Sequence, residues 1–126
     1  MNSEIYEKLK QIKNEDYIWI IYIGIIFLSY YSNALERKFV LFNDESSKDR
    51  YRWIMIIIFS ILVIVYFYFL YDSYVGISSL KCSDSEKKKR LSYLSFLASL
   101  LILISGIIFL YIAVSDTDLN VEIAFN

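Results

Sequence analysis

The sequence predicts an all-α integral membrane protein in which three transmembrane helices pack as a small bundle. Of its 126 residues 57% are hydrophobic, and they are concentrated in three blocks separated by charged segments. Such a composition is unusual for a soluble protein. Each block also has aromatic residues at both ends, as membrane spans do at the level of the lipid headgroups. We expect a short N-terminal amphipathic helix and an extended C-terminal tail beside the three spans.

Composition also narrows the classes of function. The chain has no histidine and one cysteine, Cys82, so imidazole chemistry, histidine zinc sites and an internal disulfide are excluded. A net charge of −1 gives no reason to expect a nucleic acid partner. Neither a glycine-rich phosphate loop nor a G-x-S-x-G motif is present. We therefore expect a protein that is not an enzyme, with no catalytic residue, cofactor or metal.

The N-terminal segment, residues 1–16, carries a pattern typical of an amphipathic helix. Ile5, Leu9 and Ile12 recur at helical spacing, with charged residues on the other side. A helix this short is not stable alone in water, so we expect it to lie at the membrane interface or against its neighbours. A solvated, partly frayed tail fits the same residues.

The first predicted span is residues 17–35. Small residues around Asn33 resemble a cleavage site, but acidic residues precede the apolar run, where an export signal requires net positive charge. The charged loop that follows is residues 36–52. Its apolar run 39–42 either extends the first helix or forms a short strand, and the helical spacing of Phe39 and Phe42 favours the extension.

The second span, residues 53–71, has nineteen residues without a charge or a proline. As a helix it is about 28 Å long, close to the hydrocarbon thickness of a bilayer. A polar, basic loop, residues 72–90, leads to the third span, residues 91–114. None of the three spans contains an ionisable Asp, Glu, Lys or Arg, which argues against an ion-coupled transporter.

Four adjacent basic residues end the second loop at the membrane surface. Each can gain about 1 kcal/mol from an anionic surface, which makes them candidates for contact with lipid headgroups, although the alternative is that they only set the orientation. These residues are Lys87, Lys88, Lys89 and Arg90. A cytoplasmic N-terminus places eight Lys and Arg residues inside and five outside, so we expect N-in, C-out topology in the plasma (inner) membrane.

Small side chains form a stripe along the third span at alternating steps of three and four. Small residues let helices approach closely in lipid, so this stripe predicts a packing face against the other spans or against another copy. A serine-lined aqueous pore in an oligomer is the alternative. The predicted packing residues are Ser92, Ser95, Ser99, Gly106 and Ala113.

The C-terminal tail, residues 115–126, alternates acidic and apolar residues with the period of a half-buried strand. A single strand needs a partner, so we expect the tail to dock on the apolar run of the first loop, unless it is simply a solvated acidic tail. A calcium loop is not expected, because Val121 stands where that loop requires glycine. The predicted docking residues are Leu119, Val121, Ile123 and Phe125 on the tail, and Phe39 and Phe42 on the loop.

These observations predict a small non-enzymatic three-pass membrane protein that acts through helix packing. We expect an accessory or assembly subunit, or a homo-oligomer, whose partners are the lipid bilayer and copies of itself or a larger membrane complex. The alternative is a pore-forming or membrane-perturbing effector, such as a holin-like protein, a toxin or a phage-defence component.

Overall fold

The computed structural model describes residues 2–121, and 87% of them are helical. Its helices are α1 (Ser3–Phe42), α2 (Glu45–Ser78) and α3 (Glu86–Ser115). No strand occurs in this part of the chain. The predicted all-helical class with three long helices is confirmed, and each helix is long and apolar enough to cross a membrane.

The helices extend well beyond the predicted spans. Helix α1 has 40 residues and is about 60 Å long, which is twice the hydrocarbon thickness of a bilayer. It includes the amphipathic segment from Ser3 onward as well as residues 39–42, so that run extends the first helix and is not a strand. Charged residues end the part of a helix that can lie in the hydrocarbon core. They do not interrupt the backbone hydrogen bonds, so the helix itself continues.

The chain divides into two compact units, one ending at Ile54 and the other beginning at Met55. In the first unit the predicted loop 36–52 is reduced to a two-residue turn, Asn43 and Asp44, between α1 and α2. Asn43 has a φ of 53° and donates its backbone N–H to the Phe39 carbonyl, at 2.7 Å. This left-handed residue closes α1, as asparagine and glycine commonly do at helix ends.

Asp44 begins α2 by capping its free amide groups. Its carboxylate accepts the Ser46 backbone N–H at 3.1 Å and the Ser47 hydroxyl at 2.9 Å. The Lys38 ammonium lies 3.7 Å from the carboxylate oxygen that accepts the Ser47 hydroxyl. The hydroxyl of Ser47, followed by smaller contributions from the backbone and Lys38, holds the pKa of Asp44 below its usual value.

In the second unit, α2 from Met55 onward and α3 form an antiparallel pair joined by residues 79–85. The loop ends at Ser85, whose hydroxyl accepts the Lys88 backbone N–H at 3.1 Å and so caps α3. Buried side chains of α2 recur at steps of three and four, which places them on one face of the helix. They are Met55, Ile58, Phe59, Leu62 and Val65.

The predicted extended tail is wrong for residues 116–121. Leu119 has a φ of 57°, which breaks the alternation of a strand. The Asp116 carboxylate accepts the backbone N–H groups of Asn120, at 3.0 Å, and Val121, at 2.7 Å. A local capping interaction therefore uses amide groups that a strand would give to a partner. Residues 122–126, including Ile123 and Phe125, lie outside the described part of the chain.

Candidate helix-packing site

Helices α2 and α3 are in close contact at Gly106, which is buried. A β-carbon built on this glycine would lie 2.8 Å from Cδ2 of Tyr66 and 3.5 Å from Cγ2 of Val63. The first distance is shorter than carbon atoms tolerate, so the missing side chain is what lets the Tyr66 ring cover the α3 backbone. Gly106 thus acts as the contact point that small residues provide between membrane helices.

An aromatic contact continues this interface toward the end of α3. The rings of Phe59 and Phe109 have centroids 5.5 Å apart and are inclined at 33°. One turn further, Ala113 is 5% exposed. Because residue 109 lies opposite 59 and residue 106 lies opposite 63 and 66, the two helices run antiparallel in a fixed register.

A pair of serines forms the polar contact of the same interface. The hydroxyls of Ser73 and Ser99 are 2.8 Å apart. The Ser73 hydroxyl donates to the Phe69 carbonyl at 2.8 Å, so Ser99 is the donor to Ser73 when both bonds are made. Both hydroxyls are therefore satisfied where α2 and α3 meet.

Sequence reasoning missed Ser73, because it assigned this residue to the loop 72–90. A signal was present, since Phe59, Val63, Tyr66 and Ser73 recur at the spacing of one helix face. Extending the second helix past its last long apolar run would have placed Ser73 on the face that meets α3.

The predicted packing residues do not share one environment. Ser99 and Gly106 contact α2, and Ala113 is buried. Near the start of α3, Ser92 is half-buried and Ser95 is exposed. The contacts with α2 therefore involve the middle of the stripe, while its N-terminal end contributes an open surface.

An apolar pocket of about 280 Å³ lies beside Gly106. Phe59, Tyr66 and Phe109 form its aromatic walls, and Ser105 is its polar lining residue. Walls of this kind suit an apolar group such as a side chain or an acyl chain. Leu101 and Ile102 of α3 complete its lining.

The four predicted headgroup residues differ in their interactions. Lys88 lies 3.3 Å from the Asp84 carboxylate, and Lys89 lies 3.8 Å from the Glu86 carboxylate and donates to the Cys82 carbonyl at 3.4 Å. These bonds stabilise the turn before α3. The Lys81 backbone N–H, with a further contribution from Lys88, holds the pKa of Asp84 below its usual value.

The predicted docking residues belong to different units, Phe39 and Phe42 to the first and Leu119 and Val121 to the second. Phe42 is 74% exposed, whereas Phe39 is half-buried with the Lys48 ammonium 5.5 Å from its ring centroid. On the tail, Leu119 is half-buried and Val121 is exposed. Docking of the tail on these phenylalanines stays a prediction, and unchanged assembly and proteolytic resistance after deletion of residues 117–126 would contradict it.

In the second unit, α2 and α3 are joined by apolar side-chain contacts and by the hydrogen bond between Ser73 and Ser99. Its geometry can fix the register of α2 against α3 and can accommodate an apolar group beside Gly106. No family model, curated protein or solved structure matches this chain.

Proposed function

We propose that this chain is a three-pass protein of the plasma (inner) membrane, with its N-terminus in the cytoplasm and its C-terminus outside. It acts without catalysis, through packing of its helices and through contacts with its own copies or with a larger membrane complex. The observation that carries this proposal is the close contact between Gly106 and Tyr66. At this point a glycine in the middle of an apolar helix lets a second helix pack closely against it.

The large apolar surface that the chain leaves exposed supports a membrane location with further contacts. In an apolar stretch of 18 residues in each helix, the fraction of residues that are buried is 17% in α1, 28% in α2 and 17% in α3. On α1, for example, Ile20 is 63% exposed and Phe27 is 71% exposed. Exposed apolar side chains at this density require lipid or another protein as their surroundings.

The Ser73–Ser99 bond favours packing over a serine-lined pore. A pore lined by the α3 serines would need their hydroxyls to face water. Ser99, in the middle of the stripe, instead contacts Ser73 of the same chain. Ser95 and Ser105 are exposed on α3, but they lie ten residues or about 15 Å apart along the helix axis, and Ser99 between them is bonded to Ser73, so the exposed hydroxyls do not form a continuous polar line.

The proposal is tested first by the topology and mass of the full chain. Fusions of alkaline phosphatase and green fluorescent protein to each end report which side of the membrane each terminus occupies. The mass of the detergent-solubilised particle reports self-association or a complex. A chain that remains monodisperse in buffer without detergent would contradict the membrane assignment, and a monomer that copurifies with nothing would contradict the packing role.

A second experiment separates packing from membrane damage. The full chain is induced in cells loaded with a dye that reports membrane potential, and the same cells are used for copurification. Harmless expression with recovery of an oligomer or complex supports the proposal. Collapse of the potential on induction assigns the chain to the membrane-perturbing effectors and overturns it.

A further inference from the structure

The basic run before the apolar part of α3 contains two kinds of cation. Lys88 and Lys89 are held in ion pairs with Asp84 and Glu86, which belong to the same turn. Lys87 and Arg90 are exposed and form no salt bridge among residues 2–121. The charges of the first pair are balanced within the fold, whereas those of the second pair are available to an anion from outside.

Lys87 and Arg90 lie on the same side of α3. Residues three apart on a helix are surface neighbours, separated by about 4.5 Å along the axis, so both side chains can reach one phosphate group. Leu91 and Leu94 continue this side toward the apolar part of the helix, and they are 51% and 52% exposed. The surface therefore changes from cationic to apolar within about two turns.

We propose that Lys87 and Arg90 bind the phosphate of an anionic phospholipid, whose acyl chain lies along Leu91 and Leu94. Arginine offers a planar fork of N–H donors that matches phosphate oxygens, and lysine adds a mobile positive charge. The N–H groups of Lys88 and Lys89 are already accepted by the Ser85 side chain and carbonyl, so the proposed contact is made by the two cationic side chains. This lipid contact rests on the membrane location proposed above and is independent of whether the chain self-associates.

The two leucines are the reason to assign a lipid as the source of the phosphate. A soluble phosphate would use the cations and leave Leu91 and Leu94 in contact with water. A phospholipid satisfies both parts of the surface at once, because its headgroup is anionic and its acyl chains are apolar.

The test is native mass spectrometry of the full chain in nonionic detergent, with equal amounts of phosphatidylglycerol and phosphatidylcholine. The wild type is expected to retain phosphatidylglycerol preferentially. The variant K87Q/R90Q is expected to lower that preference by roughly tenfold or more, because two cations at an anionic surface are lost. An unchanged preference in this variant would overturn the proposal.

Three controls make the result specific. The variant K10Q/K13Q removes the same charge from the exposed N-terminal part of α1 and is expected to keep the preference, so an equal loss there would reduce the effect to net charge and overturn the proposal. The variant K87R/R90K keeps both cations and is expected to bind as the wild type. The variant D84N/E86Q/K88Q/K89Q removes both ion pairs without changing the net charge and is also expected to keep the preference.

Inorganic phosphate distinguishes the two sources of the anion. Added to the wild type before the lipids, it is expected to leave bound phosphatidylglycerol largely unchanged, because phosphate cannot replace the contact with the leucines. Full displacement of the lipid by inorganic phosphate would assign the surface to a soluble anion and overturn the lipid assignment.

Discussion

The ring of Tyr66 covers Gly106 so closely that a β-carbon on the glycine would lie 2.8 Å from its Cδ2 atom. G106A is therefore expected to displace the ring and to lower the free energy of unfolding by about 1–3 kcal/mol, the usual range for overpacking. Unfolding of the purified full chain in a mild detergent, followed by circular dichroism as a denaturing detergent is added, measures this change.

The matched control for this substitution is G24A. Gly24 lies in the apolar part of α1, and a β-carbon there has no atom within 4 Å. Its unfolding curve is expected to coincide with that of the wild type or to shift toward higher stability. Equal destabilisation by both substitutions would show that glycine matters for a reason other than the contact with Tyr66.

The hydrogen bond between Ser73 and Ser99 is expected to contribute little but measurably to stability. S99A removes the donor to Ser73, and hydrogen bonds between membrane helices are worth about 0.6 kcal/mol on average. Ser73 keeps its bond to the Phe69 carbonyl, so no buried group is left without a partner. The same unfolding titration detects the loss.

The control S95A removes an exposed hydroxyl from the same helix. It is expected to leave the unfolding midpoint unchanged. A loss in S95A as large as that in S99A would contradict the role of the interhelical bond, because alanine has a higher helix propensity than serine and cannot itself cause the loss.

Stability is expected to fall in acid through Asp44. Its pKa in the folded chain lies below the ordinary value of 3.8, chiefly because the Ser47 hydroxyl donates to the carboxylate. The contribution of Asp44 is therefore complete above 3.8 and is lost as the pH falls through the lower, folded value. Unfolding curves at neutral and acidic pH measure the change.

The variants D44N and S47A identify the source of this acid sensitivity. D44N is expected to be less stable at neutral pH and to lose less stability in acid than the wild type. Some dependence will persist, because the pKa of Asp84 is shifted in the same direction. S47A is expected to give an intermediate slope, and a slope equal to that of the wild type would contradict the role assigned to its hydroxyl.

The turn between α1 and α2 depends on the left-handed conformation of Asn43. N43G is expected to preserve stability, because glycine adopts a φ near 53° without strain. N43V is expected to destabilise the fold by about 1–2 kcal/mol, because a β-branched side chain meets the backbone in this conformation. Equal unfolding midpoints for the two variants would contradict this account of the turn.

Hydropathy predicted the number and character of the helices but not their ends. The charged residues 36–52 mark where an apolar surface stops, and the backbone continues as a helix until Asn43. The turn itself is encoded by a short polar pair, since asparagine closes one helix and aspartate caps the next. Reading Asn43 and Asp44 as an end and a start would have shortened the predicted loop to its true length.

The sequence predicted only some of the residues through which α3 packs against α2. The stripe containing Ser99 and Gly106 follows from helical periodicity. That Tyr66 covers Gly106 depends on the register of α2 against α3, which the pattern of one helix does not contain. The prediction of an extended tail failed for residues 116–121 for a related reason, because alternation at Leu119 and Val121 gave no sign that Asp116 would bind the nearby backbone.

The unbroken length of α1 ties the direction of its first turns to its orientation in the bilayer. Each residue of a helix advances the azimuth by about 100°. One alanine inserted after Asp16 would therefore swing Ile5 and Leu9 through that angle relative to residues 17–35, whereas seven would return them to within about 20° of their starting direction. Because α1 is continuous, a torque applied to its first turns would be transmitted directly to residues 17–35.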